Sequence, residues 1–225
     1  MAIRLDYLPN NPDMKIYQDD EMFCINTDTQ VLGEFLTVYK KDIVLEIGTN
    51  TGALLLYASK FNPTKLIGID INEKAIELAK KNMELNGITN YELKVCDGNT
   101  YIDEEVDVII FNPPYFSTKK EEQPSNKYLV LAKHEDNFPL ESMIECISRN
   151  LKNNGTLFFL FQTSRLNEVF NLLNKKHIKV KEMKFVYDEN KENSNVFMIK
   201  AVKNAKEGMI VTKPIIIKRG DKNVL

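Results

Sequence analysis

Four short strand-like runs, the apolar Ile43–Ile47, Leu66–Asp70 and Val106–Phe111 and the alternating Tyr91–Cys96, are interspersed with stretches of helical periodicity, and this pattern constrains the fold more than any other feature of the chain. Ala53–Phe61 has helical character and stops at Asn62-Pro63. Asn72 is placed to cap the next helix, with Glu73 in its first turn beside the positive end of the helix dipole. Ala75, Ile76, Ala79, Met83 and Leu85 form the apolar stripe of that helix, and Asn86-Gly87 closes it. Strands joined by helices of about ten to fifteen residues return by right-handed crossovers and pair in parallel. An α/β fold is expected.

The rest of the chain continues the pattern more loosely. Residues 116–138 are polar, and a connection of that length inside one domain is commonly functional. Leu140–Leu151 reads as a helix ended by Asn153-Asn154-Gly155, and Thr156–Phe161 as a strand. Ser164 can cap a helix running to Lys176. Ile178–Tyr187 and Val196–Val202 read as two antiparallel strands around a polar turn. With 225 residues, 43% of them hydrophobic, the chain suffices for one core. One domain is expected over 1–225, with an arm over 1–30 that can cover the site and a core over 31–225.

Several classes are excluded. The densest apolar run is Leu157–Phe161, far short of a membrane span, and the N-terminus lacks the pattern of a secretory signal. Cys24, Cys96 and Cys146 lie too far apart for a disulfide framework or a zinc site. A soluble, cytoplasmic protein without a metal is expected. The net charge of −2 hides a split: residues 1–149 carry 15 basic and 25 acidic side chains, and residues 150–225 carry 15 and 7. The basic third can face a polyanion or can be a solvated lysine-rich surface.

The chemistry sits at the ends of the strand-like runs. Glu46-Ile47-Gly48-Thr49-Asn50-Thr51-Gly52 joins a strand to a helix, where glycines allow close ligand approach and the helix start supplies free N–H groups. Asp70 ends the next strand, 22 residues after Gly48, where a carboxylate can accept ribose hydroxyls. Asp97-Gly98 ends the third and is placed for an adenine amino group. Singly these are a turn, a surface Asp and a turn Asp; together they describe a nucleoside pocket. A nicotinamide site needs Gly-x-Gly-x-x-Gly, but Asn50 holds the middle position, and acidic Glu46 disfavours a pyrophosphate. A cationic, phosphate-free nucleoside such as S-adenosylmethionine suits these residues.

Asn112-Pro113-Pro114-Tyr115 directly follows the fourth run. Such a string arises by chance in a chain of this length on the order of 10⁻³ of the time. The plain alternative is a rigid turn. An exocyclic amine or amide nitrogen is a poor nucleophile because its lone pair is delocalised. The Asn112 side-chain oxygen and the Pro113 carbonyl can accept its two N–H bonds and hold it in line with a methyl–sulfur bond. Two prolines stiffen the acceptors in advance, and Tyr115 offers a flat face for a planar group.

At these residues the sequence resembles class I S-adenosylmethionine-dependent methyltransferases carrying Asn-Pro-Pro-Tyr. Within them it is similar to the bacterial tRNA1(Val) (adenine(37)-N6)-methyltransferase family. Leu5-Asp6-Tyr7-Leu8, Ile16-Tyr17-Gln18, Asn26-Thr27-Asp28, Val31-Leu32-Gly33, Ala132-Lys133-His134-Glu135, Arg165-Leu166, Glu207-Gly208-Met209 and Pro214–Ile217 extend the likeness along most of the chain. Asn50 departs from the glycine common in relatives, as Lys133 does from a frequent arginine. The resemblance implies a Rossmann-like, mostly parallel seven-stranded sheet with helices on both faces and an antiparallel C-terminal strand. It implies methyl transfer from S-adenosylmethionine to the N6 of an adenine in tRNA, adenosine 37 of tRNA1(Val). Glu46, Gly48 and Gly52 would meet the methionine end of the cofactor, Asp70 the ribose and Asp97 the adenine, with Thr49, Asn50, Ile71, Gly98 and Asn112 also among the cofactor-binding residues. Asn112, Pro113, Pro114 and Tyr115 would hold the target base. Lys133, His134, Arg165, Lys175, Lys176, Lys179, Lys181 and Lys184 would be the candidates for RNA contact.

Other readings remain on the residues alone. Release-factor glutamine methyltransferases use the same Asn-Pro-Pro-Tyr but usually carry a substantial helical N-terminal domain, and only about forty residues precede the first apolar run here. Guanine N2 methylation of ribosomal RNA is the nearer chemical rival. A non-catalytic RNA-binding protein of methyltransferase shape belongs to another class, and intact Asp70, Asp97 and Asn112 argue against it. His134 beside Glu135 also fits a structural histidine, Asp28 a helix cap or a cover over the cofactor, Phe116 a pocket wall or a core aromatic, and Cys96 a packed strand residue.

Overall fold

Residues 3–113 and 138–218 are described by the computed structural model. The N-terminal arm begins with a hairpin of β1 (Ile3–Leu8) and β2 (Asn11–Asp19) that turns at Asn10, whose φ is +55°. Asparagine tolerates that left-handed backbone better than most residues. Helix α1 (Thr27–Phe35) follows, capped by Asn26, whose side chain accepts the Thr29 N–H at 3.0 Å.

The four runs then become strands. β3 (Ile43–Ile47), β4 (Lys65–Asp70), β5 (Tyr91–Val95) and β6 (Val106–Phe111) pair in parallel in the order β5-β4-β3-β6. Helix α2 (Ala53–Ser59) joins the first two and α3 (Glu73–Leu85) the next two. Asn72 caps α3 as expected, accepting the Lys74 N–H at 3.1 Å. The buried stripe of α3 is Ala75, Leu78, Ala79, Asn82 and Met83, the i, i+3, i+4, i+7, i+8 series of one face. Ile76 lies off that series and is half-buried, and Leu85 is exposed.

β7 (Leu151–Gln162) pairs parallel to β6 after helix α4 (Leu140–Asn150). Thr163–Arg165 is a short 3-10 turn, so helix α5 (Leu166–Lys175) starts later than expected. Ser164 does not cap it; its hydroxyl donates to Gln162 Oε1 at 3.3 Å. β8 (Ile178–Asp188) pairs antiparallel to β9 (Val196–Lys203), and β9 antiparallel to β7. The seven expected strands are therefore present. Two short ones, β10 (Ile210–Val211) and β11 (Ile215–Ile217), pair parallel to β8 and bring the sheet to nine. Pro214 between them has no N–H to give, which accounts for an edge in two pieces.

Helices cover both faces. Successive strand residues point to opposite sides. Phe158 meets Phe35 of α1 edge-on at 5.8 Å, whereas its neighbour Phe159 stacks on Phe111, which touches Phe138 just before α4. The hairpin docks on α3 through amide side chains. Asn82 Oδ1 accepts the Tyr17 N–H at 2.7 Å, and its Nδ2 donates to Tyr17 O at 3.0 Å and to Thr51 O at 2.9 Å. One turn on, Asn86 repeats the pattern with Lys15. Two amides on one helix face thus pair with β2 as a neighbouring strand would. Among the described residues, no helix is long and apolar enough to cross a membrane and no group of metal-ligating side chains occurs.

Candidate active site

Register decides what meets at the carboxyl edge of the sheet. Ile47 pairs with Ile69 on one side and with Phe111 on the other, and Asp70 pairs with Val95. The turn after Ile47, Asp70, the Cys96–Gly98 turn and Asn112 are therefore neighbours. β3 is also where strand order reverses, with β4 on one side and β6 on the other, and open α/β sheets form their ligand crevice at that point.

The turn after β3 is built for close approach. Gly48 and Thr49 both donate N–H to Ile69 O at 2.9 Å, and Gly52 donates to Thr49 O at 2.7 Å. Gly48, Asn50 and Gly52 have φ of +71°, +46° and +80°. A Cβ placed on Gly48 would meet nothing within 4 Å among the described residues, so the turn leaves open space beside its backbone. Gly52 starts α2, and a Cβ there would press on Met83 Cε at 3.0 Å, so glycine also lets α2 and α3 approach.

A cleft opens there, lined by Glu46, Gly48, Thr49, Asn50, Thr51, Ala53, Leu54 and Asn112 from the core and by Phe23, Cys24, Ile25 and Thr29 from the arm and α1. Glu46 is buried in its wall. Loss of water pushes its carboxyl up to about 8; hydrogen bonds from Thr49 Oγ1, at 2.7 Å, and from the Leu55 backbone oppose that rise, and the Asp70 charge adds to it. A buried carboxylate whose surroundings offer hydrogen bonds and no counter-charge among the described residues suits a cation better than a phosphate.

Asp70 is occupied on both oxygens by backbone donors, Asn50 N–H on Oδ2 at 2.8 Å and Asn72 N–H on Oδ1 at 2.9 Å. Burial raises its carboxyl above the ordinary range while these N–H groups pull it down. The Ile71 backbone N–H is a third such donor, so the carboxylate fixes the turn and keeps only part of its acceptor capacity for a ligand hydroxyl. Asp97 Oδ1 accepts from Asn99 N–H at 2.8 Å and Asn99 Nδ2 at 3.0 Å. Asp70, Ile71, Asp97, Gly98 and Gly52 lie outside the lining of the cleft, next to it by register. Pro113 is buried behind Asn112; Pro114, Tyr115, Phe116, Lys133 and His134 lie outside the described residues.

The basic candidates are not gathered in one place. Phe111, Phe159, Ile199 and Met183 share one row across the sheet, so Lys184 stands level with Asn112. Arg165 follows β7 at the same edge, over the Phe161 ring at 5.3 Å and paired with Glu168 at 2.6 Å. Lys175, Lys176 and Lys179 lie at the opposite edge, where β8 begins. Lys176 pairs with Glu145, Lys179 with Glu207 at 2.6 Å, and Lys181 donates to Lys206 O at 3.0 Å; Lys184 lies over the Phe35 ring at 5.2 Å.

Sequence reasoning missed Phe23, Cys24, Ile25 and Thr29 as cleft residues. The signal was Asn50: its side-chain N–H donates to Phe23 O and ties the arm to the turn, while asparagine tolerates the positive φ.

The family described as a methyltransferase domain matches residues 39–213. A tRNA1(Val) (adenine(37)-N6)-methyltransferase of a Flavobacteriaceae bacterium is 38% identical over 112 residues, covering 48% of each chain. One of the same name from Shewanella woodyi is 24% identical over 212 residues, 88% of this chain and 85% of that one. A release factor glutamine methyltransferase of Flavobacterium psychrophilum is 31% identical over 147 residues, 60% of this chain and 51% of that one. The chain thus spans about half the length of the first and third of these relatives. A predicted O-methyltransferase from Agrobacterium tumefaciens has the same fold, with a TM-score of 0.66 and 15% identity over 88% of this chain and 90% of that one.

Proposed function

This chain belongs to the methyltransferase domain family, and from that premise we propose that it methylates the exocyclic N6 of an adenine in tRNA, adenosine 37 of tRNA1(Val). S-adenosylmethionine supplies an electrophilic methyl group on a sulfonium. The residues present suit it: the open space at Gly48, the buried Glu46 carboxyl in the cleft wall, and Asp70 beside the turn. A cation beside Glu46 favours its ionised form.

The observation that carries the reading is the place of Asn112, in the wall of the same cleft as Glu46 and Gly48. The Asn112 side-chain oxygen and the Pro113 carbonyl accept the two N–H bonds of the target amine, turn its lone pair toward the methyl group and fix the approach before reaction. The N–C bond forms as the methyl–sulfur bond breaks, and the nitrogen then loses a proton to water, so no dedicated base is required. Of the basic candidates among the described residues, Arg165 and Lys184 stand at the edge where Asn112 sits and would meet RNA there.

The test is methyl transfer from labelled S-adenosylmethionine to unmodified tRNA, with nucleoside digestion and mass spectrometry. N6-methyladenosine is the expected product. Methylguanosine, or no methylated nucleoside, would overturn the base assignment.

A further inference from the structure

β5 and β6 are joined by turns rather than a helix over residues 96–105, so the carbonyls of that connection need partners from elsewhere. Thr100 and Tyr101 donate N–H to Asp97 O at 3.0 Å, which closes the turn through that one carbonyl. Arg149, in the last turn of α4 and 51 residues beyond Gly98, supplies donors for the carbonyls that follow. Its Nε donates to Tyr101 O at 2.9 Å, and its Nη2 to Gly98 O and Asn99 O at 2.7 Å each. The next residue, buried Asn150, donates to Tyr101 O at 3.2 Å. On the other side, Phe138 lies so close that a Cβ on Gly98 would come within 2.8 Å of its ring.

We infer that Arg149 is a positioning residue for the adenine end of the cofactor site: its guanidinium gathers three carbonyls of the 97–101 turn and thereby fixes where Asp97 presents its second carboxylate oxygen. This rests on the reading of Asp97 as acceptor of the adenine amino group. A planar fork with several N–H donors on one side chain can hold three carbonyls at once, and a lysine ammonium is a point charge without that fixed geometry. With the turn held, a purine bearing an amino group meets an acceptor, while one bearing a carbonyl at the same position meets a like acceptor and is rejected.

Calorimetric binding of S-adenosylhomocysteine and of its deaminated analogue S-inosylhomocysteine tests this on the whole chain. Arg149→Lys is expected to reduce the preference for the adenine ligand by about tenfold or more, through loss of affinity for that ligand alone. Asp97→Ala is expected to abolish the preference. If Asp97→Ala keeps it, the reading of Asp97 fails. If Asp97→Ala loses it while Arg149→Lys keeps it, Asp97 stands and the role of Arg149 is overturned. Equal loss for both ligands in Arg149→Lys also overturns it, because that is the mark of a general weakening. Should Arg149→Lys fail to fold, Gly98→Ala shifts the same turn against Phe138; it is expected to lower the preference, and an unchanged preference contradicts the inference.

Discussion

Glu46 carries an unusual burden for a single residue: a carboxyl buried in a cleft wall, held by one hydroxyl and one backbone N–H. The folded protein keeps its proton up to about pH 8, whereas a free glutamate releases it near 4.5. The folded state therefore binds more protons than the unfolded chain between those values, and its stability without cofactor falls as pH rises through that window. Thermal unfolding from pH 5 to 8 is expected to show this decline in the native protein and a shallower one in Glu46→Gln; equal slopes would remove Glu46 as its source. Glu46, Gly48 and Asp70 were legible because spacing on successive parallel strands fixes their neighbourhood. Phe23–Ile25 were not, because their place depends on how a distant hairpin docks. Nor was Arg149, whose partners are backbone carbonyls that leave no mark in side-chain pattern.

At the scale of elements, the hairpin–α3 contact shows polar side chains doing what strand pairing does elsewhere. Asn82 is fully buried and makes three hydrogen bonds to backbone groups of Tyr17 and Thr51. Truncating it to alanine strands those groups, and a loss of about 2 kcal/mol in unfolding free energy is expected, with faster amide exchange at Tyr17. Denaturant unfolding with hydrogen exchange checks both; unchanged exchange at Tyr17 would show that the hairpin is held by its apolar contacts. The strands β3, β4 and β6 announced themselves as apolar runs and β5 as an alternating one. β10 and β11 did not, being two and three residues long, and the helix after β7 begins past Ser164 because a 3-10 turn intervenes.

The whole molecule is electrically divided, with net charges of −10 before residue 150 and +8 from it onward, from 15 − 25 and 15 − 7. If the basic third meets RNA phosphates, binding to unmodified tRNA weakens steeply with salt: neutralising about three phosphates gives roughly 30-fold between about 50 and 200 mM, because the released counterions compete for the same sites. A filter-binding series that moved less than about twofold would place the RNA elsewhere. The sheet's larger consequence is that one reversal of strand order puts Glu46 and Asn112 into one cleft, where the proposed function makes Asn112 the acceptor of the target amine. Single-turnover methyl transfer by Asn112→Ala, at saturating S-adenosylmethionine and tRNA, tests this most directly. The expected result is a rate lowered about 100-fold or more, with S-adenosylhomocysteine affinity changed only a few-fold. An unchanged rate, or a loss traced wholly to cofactor binding, would contradict the claim that Asn112 holds the reacting nitrogen.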